Sequence, residues 1–146
     1  MRRVITKSLA ALSLATLLGG AAVPALAAGN LAAGGVQLPD LKIDTTNNKF
    51  SQNEYDIETG KYYRLNITAD DGADDLAIVM PEFFRNSWID QIVVNKLEVK
   101  AQDLYSLEFD DAGTFNISFV VLRPGVYEFW SPGQEDKGLK GKFVVK

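Results

Sequence analysis

Three short runs concentrate the chain's oxygen donors: Asp70-Asp-Gly-Ala-Asp-Asp75, Asp110-Asp111 and Glu135-Asp136. The chain has no cysteine and no histidine. Carboxylates without thiolate or imidazole suit hard cations, which take several carboxylate and water oxygens in flexible geometry. Trivalent lanthanides are close to calcium in size and carry more charge, so the same donors favour them further. The same two absences remove the usual ligands of zinc and copper, cysteine nucleophiles and the commonest general base. No nucleophile, cleft motif or cofactor motif is visible, and an enzyme is not expected. The Asp70–Asp75 run lacks the spaced oxygens and distal glutamate of an EF-hand. Lys137, Lys140 and Lys142 lie close in sequence to Glu135 and Asp136, and pairing with them would weaken a site there.

Several elements must position these runs. Residues 1–27 read as a secretory signal peptide: Arg2, Arg3 and Lys7, an apolar run from Leu9 to Val23, then Pro24 and the small-residue site Ala25-Leu26-Ala27. That run is shorter than the ~20 residues a bilayer span needs. The reading predicts a protein exported to the periplasm. Cleavage would take the net charge from −4 to −7, because the removed residues hold three cations and no acid. Neither nucleic acid nor an anionic membrane is an expected partner for such a chain. Residues 28–35, small and without periodicity, read as a flexible leader. One domain, residues 36–146, follows.

Within it short β-rich runs alternate with turn signals, the spacing of an all-β Greek-key sandwich. Expected strands are Val36–Ile43, interrupted by Pro39, then Lys49–Ile57, Tyr62–Thr68, Leu76–Met80, Ile92–Val99, Leu104–Phe109, Thr114–Leu122, Val126–Trp130 and Gly141–Lys146. In Tyr62–Thr68 the residues Tyr63, Leu65 and Ile67 alternate with Arg64 and Asn66, so the former should face the core. Glu58–Lys61, Asp110–Gly113 and Arg123–Gly125 read as tight turns, the last two as hairpins. Pro81–Asp90 breaks the β pattern and predicts a turn of helix, with Phe83, Phe84 and Trp88 as a lid over the core. The sequons at Asn66 and Asn116 fall inside strands and are read as chance matches.

Two segments carry a resemblance. Phe50–Phe83, with Glu58-Thr-Gly-Lys61, Tyr63-Arg-Leu-Asn-Ile67 and Asp74-Asp-Leu-Ala-Ile-Val-Met-Pro-Glu-Phe83, resembles the first half of a cupredoxin. Pro124-Gly-Val-Tyr-Glu-Phe-Trp-Ser131 through Gly138-Leu-Lys-Gly-Lys142 resembles the second half, including its metal loop. The likeness implies a cupredoxin-like sandwich in which Asp74 takes the place of the first histidine, Ser131 of cysteine, Gln134 of the second histidine and Leu139 of methionine. All four depart from the copper pattern, so the fold is implied without copper or electron transfer.

The implied topology puts Asp70–Asp75, Asp110-Asp111 and Glu135-Asp136 at one end of the sandwich and Glu58 and Glu82 at the other. Asp74, Asp75, Glu135 and Asp136 are the expected metal ligands, with Asp110 and Asp111 beside them. The expected cargo is a lanthanide(III) ion, then calcium. An exported, acidic, histidine-free domain of this kind is also similar to periplasmic lanthanide-binding proteins of methylotrophic bacteria. Water, a second copy in a metal-bridged homodimer, or another periplasmic metal-handling protein would complete the coordination. The competing expectation is a metal-free interaction module, docking through its acidic end or through Phe83, Phe84 and Trp88.

Overall fold

The computed structural model describes residues 34–146. The expected signal peptide and most of the expected leader lie outside the described residues. Twelve strands form two sheets: β1 (Val36–Gln37), β2 (Leu41–Asp44), β3 (Lys49–Phe50), β4 (Glu54–Ile57), β5 (Tyr62–Ala69), β6 (Leu76–Val79), β7 (Ser87–Val94), β8 (Leu97–Val99), β9 (Ser106–Phe109), β10 (Gly113–Val121), β11 (Gly125–Trp130) and β12 (Lys140–Val145). The first sheet runs β3-β2-β5-β10-β7-β8, with β1 also paired to β5, and the second runs β4-β12-β11-β6-β9. This is the all-β sandwich the turn spacing predicts.

Period-two burial builds the core. Tyr63, Leu65 and Ile67 of β5 are buried as expected, opposite Phe119 and Ile117 of β10. Phe129 and Phe143 of the second sheet are wholly buried. A short helix, α1 (Pro81–Arg85), starts on Pro81 and plugs the space between the layers. Its Phe83 stacks on Phe143 at 4.2 Å and meets Phe119 edge-on at 5.0 Å, so one ring touches both sheets. Phe83 and Phe84 are 1% and 3% exposed, as a lid requires, but Trp88 is 43% exposed and stands on β7 outside it. The three rings therefore do not form a common surface patch.

Several details differ from the sequence expectation, each for its own physical reason; the expected Val36–Ile43 strand, for one, is two strands, β1 and β2, separated at Pro39. Glu58–Lys61, Asp110–Gly113 and Arg123–Gly125 do reverse the chain, but each carries it from one sheet to the other. None closes a hairpin, because turn residues specify a reversal and not which layer receives the next strand. Lys49–Ile57 is likewise two strands, β3 and β4, one in each sheet. Ser51 marks the crossing by donating its Oγ–H to the Asp40 carbonyl at 2.8 Å while its Oγ accepts from the Lys42 N–H. The expected Ile92–Val99 strand is a hairpin of β7 and β8, turned at Asn95 and Lys96 with φ of 47° and 69°. Asn favours that left-handed turn and Lys does not, which hid it.

Strand polarity gives the sandwich two distinct ends. β5 and β9 rise to Asp70–Asp75 and Asp110-Asp111, and β11 rises to the loop that holds Glu135 and Asp136. The three acidic runs thus share one end. The chain enters at the opposite end, where Val36 pairs with Tyr63, and leaves there, where Val145 pairs with Gly125. Among the described residues no helix is long and apolar enough to cross a membrane.

Candidate metal site

The site begins with the register of β6 on β9. Leu76 pairs with Phe109 and Ala77 with Glu108, so one further step places Asp75 opposite Asp110. Leu107 and Phe109 are buried, which by alternation turns Glu108 and Asp110 outward on the same face. Asp75 reaches its position in the left-handed region, at φ 50°, a conformation that aspartate tolerates. One carboxylate oxygen each from Asp75, Glu108 and Asp110 lies within 4.8 Å of the other two, and all three residues are exposed.

Among the described residues none of the three forms an ion pair. The pairs that do form there are Lys61 with Glu58, Arg85 with Glu82, Lys100 with Asp90 and Glu98, Lys142 with Glu54, and Lys146 with Asp56. A cleft of about 270 Å³ adjoins the group, bordered by Glu108, Asp110, Asp111, Asn95 and Thr114.

Of the six carboxylates expected from the sequence, Asp75 and Asp110 enter this group. Asp74 is exposed beside it without joining. Asp111 accepts the Ala112 N–H at 2.7 Å and serves its turn. Glu135 and Asp136 form a 3-10 turn, Glu135–Lys137. Glu135 borders a different groove, with Lys140 and Lys142. Lys142 pairs with Glu54 at 2.9 Å rather than with either acid of that turn.

Glu108 was not among the expected ligands. Its signal lay in the strand, two residues before Asp110 in a run whose apolar members are Leu107 and Phe109. Asp70, in the same loop as Asp75, is committed elsewhere. It accepts the Thr45 hydroxyl at 2.6 Å, the Thr45 N–H at 3.1 Å and the Gly72 N–H at 3.2 Å, which hold its carboxyl below the ordinary aspartate value. Thr45 comes so near that a Cβ on Gly72 would lie 2.1 Å from its Oγ1.

The loop between β11 and β12 closes on itself: Ser131 N–H donates to the Leu139 carbonyl, Leu139 N–H to Gln134 and Gln134 N–H to Ser131. Ser131 and Leu139 are buried at 2% and 1% exposure, and the Gln134 Oε1 is buried without a partner. With Asp74 they supply no thiolate, imidazole or thioether. This donor set does not fit blue copper.

No protein-family model matches the chain, and no curated protein does. Solved structures do. Auracyanin from Roseiflexus castenholzii superposes with a TM-score of 0.51 at 19% identity, over 78% of this chain and 98% of that one. Auracyanin A, a "blue" copper protein from Chloroflexus aurantiacus, gives 0.51 at 13% identity, over 77% and 100%. The copper-containing nitrite reductase of Thermus scotoductus gives 0.61 at 13% identity, over 80% of this chain and 32% of that one, so the chain spans about a third of the reductase. The fold is therefore the cupredoxin-like Greek-key sandwich, as the two sequence segments implied. These matches name copper proteins and lend no support to the likeness to lanthanide-binding proteins.

Proposed function

We propose that this chain is a periplasmic binding protein or chaperone for a hard metal ion, a lanthanide(III) before calcium, with Asp75, Glu108 and Asp110 as its protein ligands. The observation that carries the reading is the convergence of three exposed carboxylates that form no ion pair among the described residues. Oxygens bound to one calcium-sized ion at ~2.4 Å stand no more than ~4.8 Å apart. One oxygen from each of the three residues meets that limit. Three carboxylates leave part of the shell open to water, a metal-handling partner or a second copy of the chain. That openness suits transfer better than permanent storage.

Trp130 provides the test. It lies on the same outer face as Glu108, two strands away, a separation on the order of 12 Å from strand spacing and rise. Terbium titration should give saturable emission excited through Trp130, lost in Trp130→Phe and kept in Trp88→Phe. Lanthanum should displace terbium at lower concentration than calcium does. No emission and no thermal stabilisation at stoichiometric metal would sink the proposal, and stabilisation by copper alone would replace it. A basic partner captured equally well with and without chelator would favour the interaction module, acting through the acidic end.

A further inference from the structure

On the other side of Trp130 the same sheet face carries a groove of about 570 Å³, against about 270 Å³ for the cleft beside Asp110. Its volume falls in the ~300–1,000 Å³ range of small-molecule sites. Asn53, Glu128, Trp130, Glu135, Lys140 and Lys142 line it. β11 and β12 set the order: Glu128 stands opposite Lys142 and Trp130 opposite Lys140, while Asn53 and Glu135 approach from the segments before β4 and before β12. Trp130 is half-buried, so part of its ring is free for a ligand.

Charge and hydrogen-bonding capacity narrow the ligand. Lys142 is already held by Glu54, so Glu128 and Glu135 face one uncommitted ammonium group, Lys140, and the groove has no cationic excess to attract an anion. The carboxylates only accept, the lysines only donate, and the Asn53 amide does both. A matching ligand must donate and accept around its rim and offer an apolar face to the indole. Hydroxyl groups set on a ring with a C–H face have that character.

We propose that this groove binds a neutral polyhydroxylated ligand, a pyranose unit of a glycan, stacked on Trp130 and held by Glu128, Glu135, Lys140 and Asn53. The inference does not rest on the metal reading. It uses none of Asp75, Glu108 and Asp110.

The test is titration of the ¹⁵N-labelled protein with cellobiose, maltose and N,N′-diacetylchitobiose, in parallel with choline, glycine betaine and glucose 6-phosphate. At least one neutral disaccharide should shift the Trp130 indole signal saturably, with a Kd of ~1 mM or tighter. Read on the backbone amide signals of Asn53 and Gly141, which line the same groove, Trp130→Ala should weaken disaccharide binding by about tenfold or more, and Trp130→Phe should largely restore it. The double variant Glu128→Gln, Lys140→Met, which leaves Trp130 in place, should weaken it similarly. Circular dichroism establishes that each variant is folded. Asp75→Asn with Glu108→Gln and Asp110→Asn should leave the disaccharide response unchanged, which separates this site from the metal site. Absence of a saturable shift with all three disaccharides up to ~10 mM would overturn the proposal. So would a saturable response to the charged or zwitterionic probes alone, or disaccharide binding that survives in folded Trp130→Ala.

Discussion

Asp110 is the residue on which the metal reading can be tried most sharply, because it stands between Asp75 across the ladder and Glu108 along its own strand. Asp110→Asn should weaken terbium binding by at least about tenfold, as should Glu108→Gln, whereas Glu135→Gln should leave it within about twofold. Luminescence titration reads all three. Asp70 makes a different prediction. Its carboxyl is held below the ordinary 3.8, first by the Thr45 hydroxyl. A depressed folded value contributes stability above the unfolded pKa, and that contribution is lost as pH falls through the folded one. Asp70→Asn should therefore melt below the wild type at pH 7. The gap should close as pH drops beneath 3.8, measured by circular dichroism. Residue type alone singles out Asp75 and Asp110 as candidate donors, and the fold brings them together. Glu108 is hidden because it lies inside a strand rather than in an acidic loop run, although its period-two relation to Asp110 is present in the sequence.

Among the elements, α1 holds the two layers together through one ring. Phe83→Ala removes contacts to both Phe119 and Phe143 and should cost ~3–5 kcal/mol. Trp88→Ala, at a half-exposed strand position, should cost less than ~1.5 kcal/mol. Urea unfolding distinguishes the two, and equal effects would contradict the plug role of α1. The strands themselves were largely legible, since alternation in β5 and the apolar runs of β10 and β11 mark their inward faces. Less visible was the partner of each strand. Ser51 hides a change of sheet inside what reads as one strand, and Lys96 hides a hairpin by occupying a left-handed position better suited to glycine. Layer assignment depends on contacts between distant residues, which local turn chemistry does not encode.

For the whole molecule, the proposed metal binding would be linked to folding. A ligand bound only by the native state at a hundred times its Kd adds ~2.7 kcal/mol. For a domain of this size that is a rise in Tm on the order of 10 °C. Calorimetry with lanthanum, then with excess chelator, should show the rise and its reversal. The overall architecture was legible because the segments around the β11–β12 loop resemble the second half of a cupredoxin, although Ser131, Gln134 and Leu139 offer none of its copper ligands. The Trp130 groove was not, for its walls come from three separated segments that only the folded sheet assembles.

Entry beside Tyr63 and exit beside Gly125 also fix how the molecule can be mounted. An anchor joined at either side of the domain, whether a resin, an electrode or a fused carrier, attaches at the end remote from Asp75 and Asp110. A layer of such molecules would stand with Asp75, Glu108 and Asp110 toward the solution, so the proposed cation capture could be tried on a surface without redesign of the sandwich.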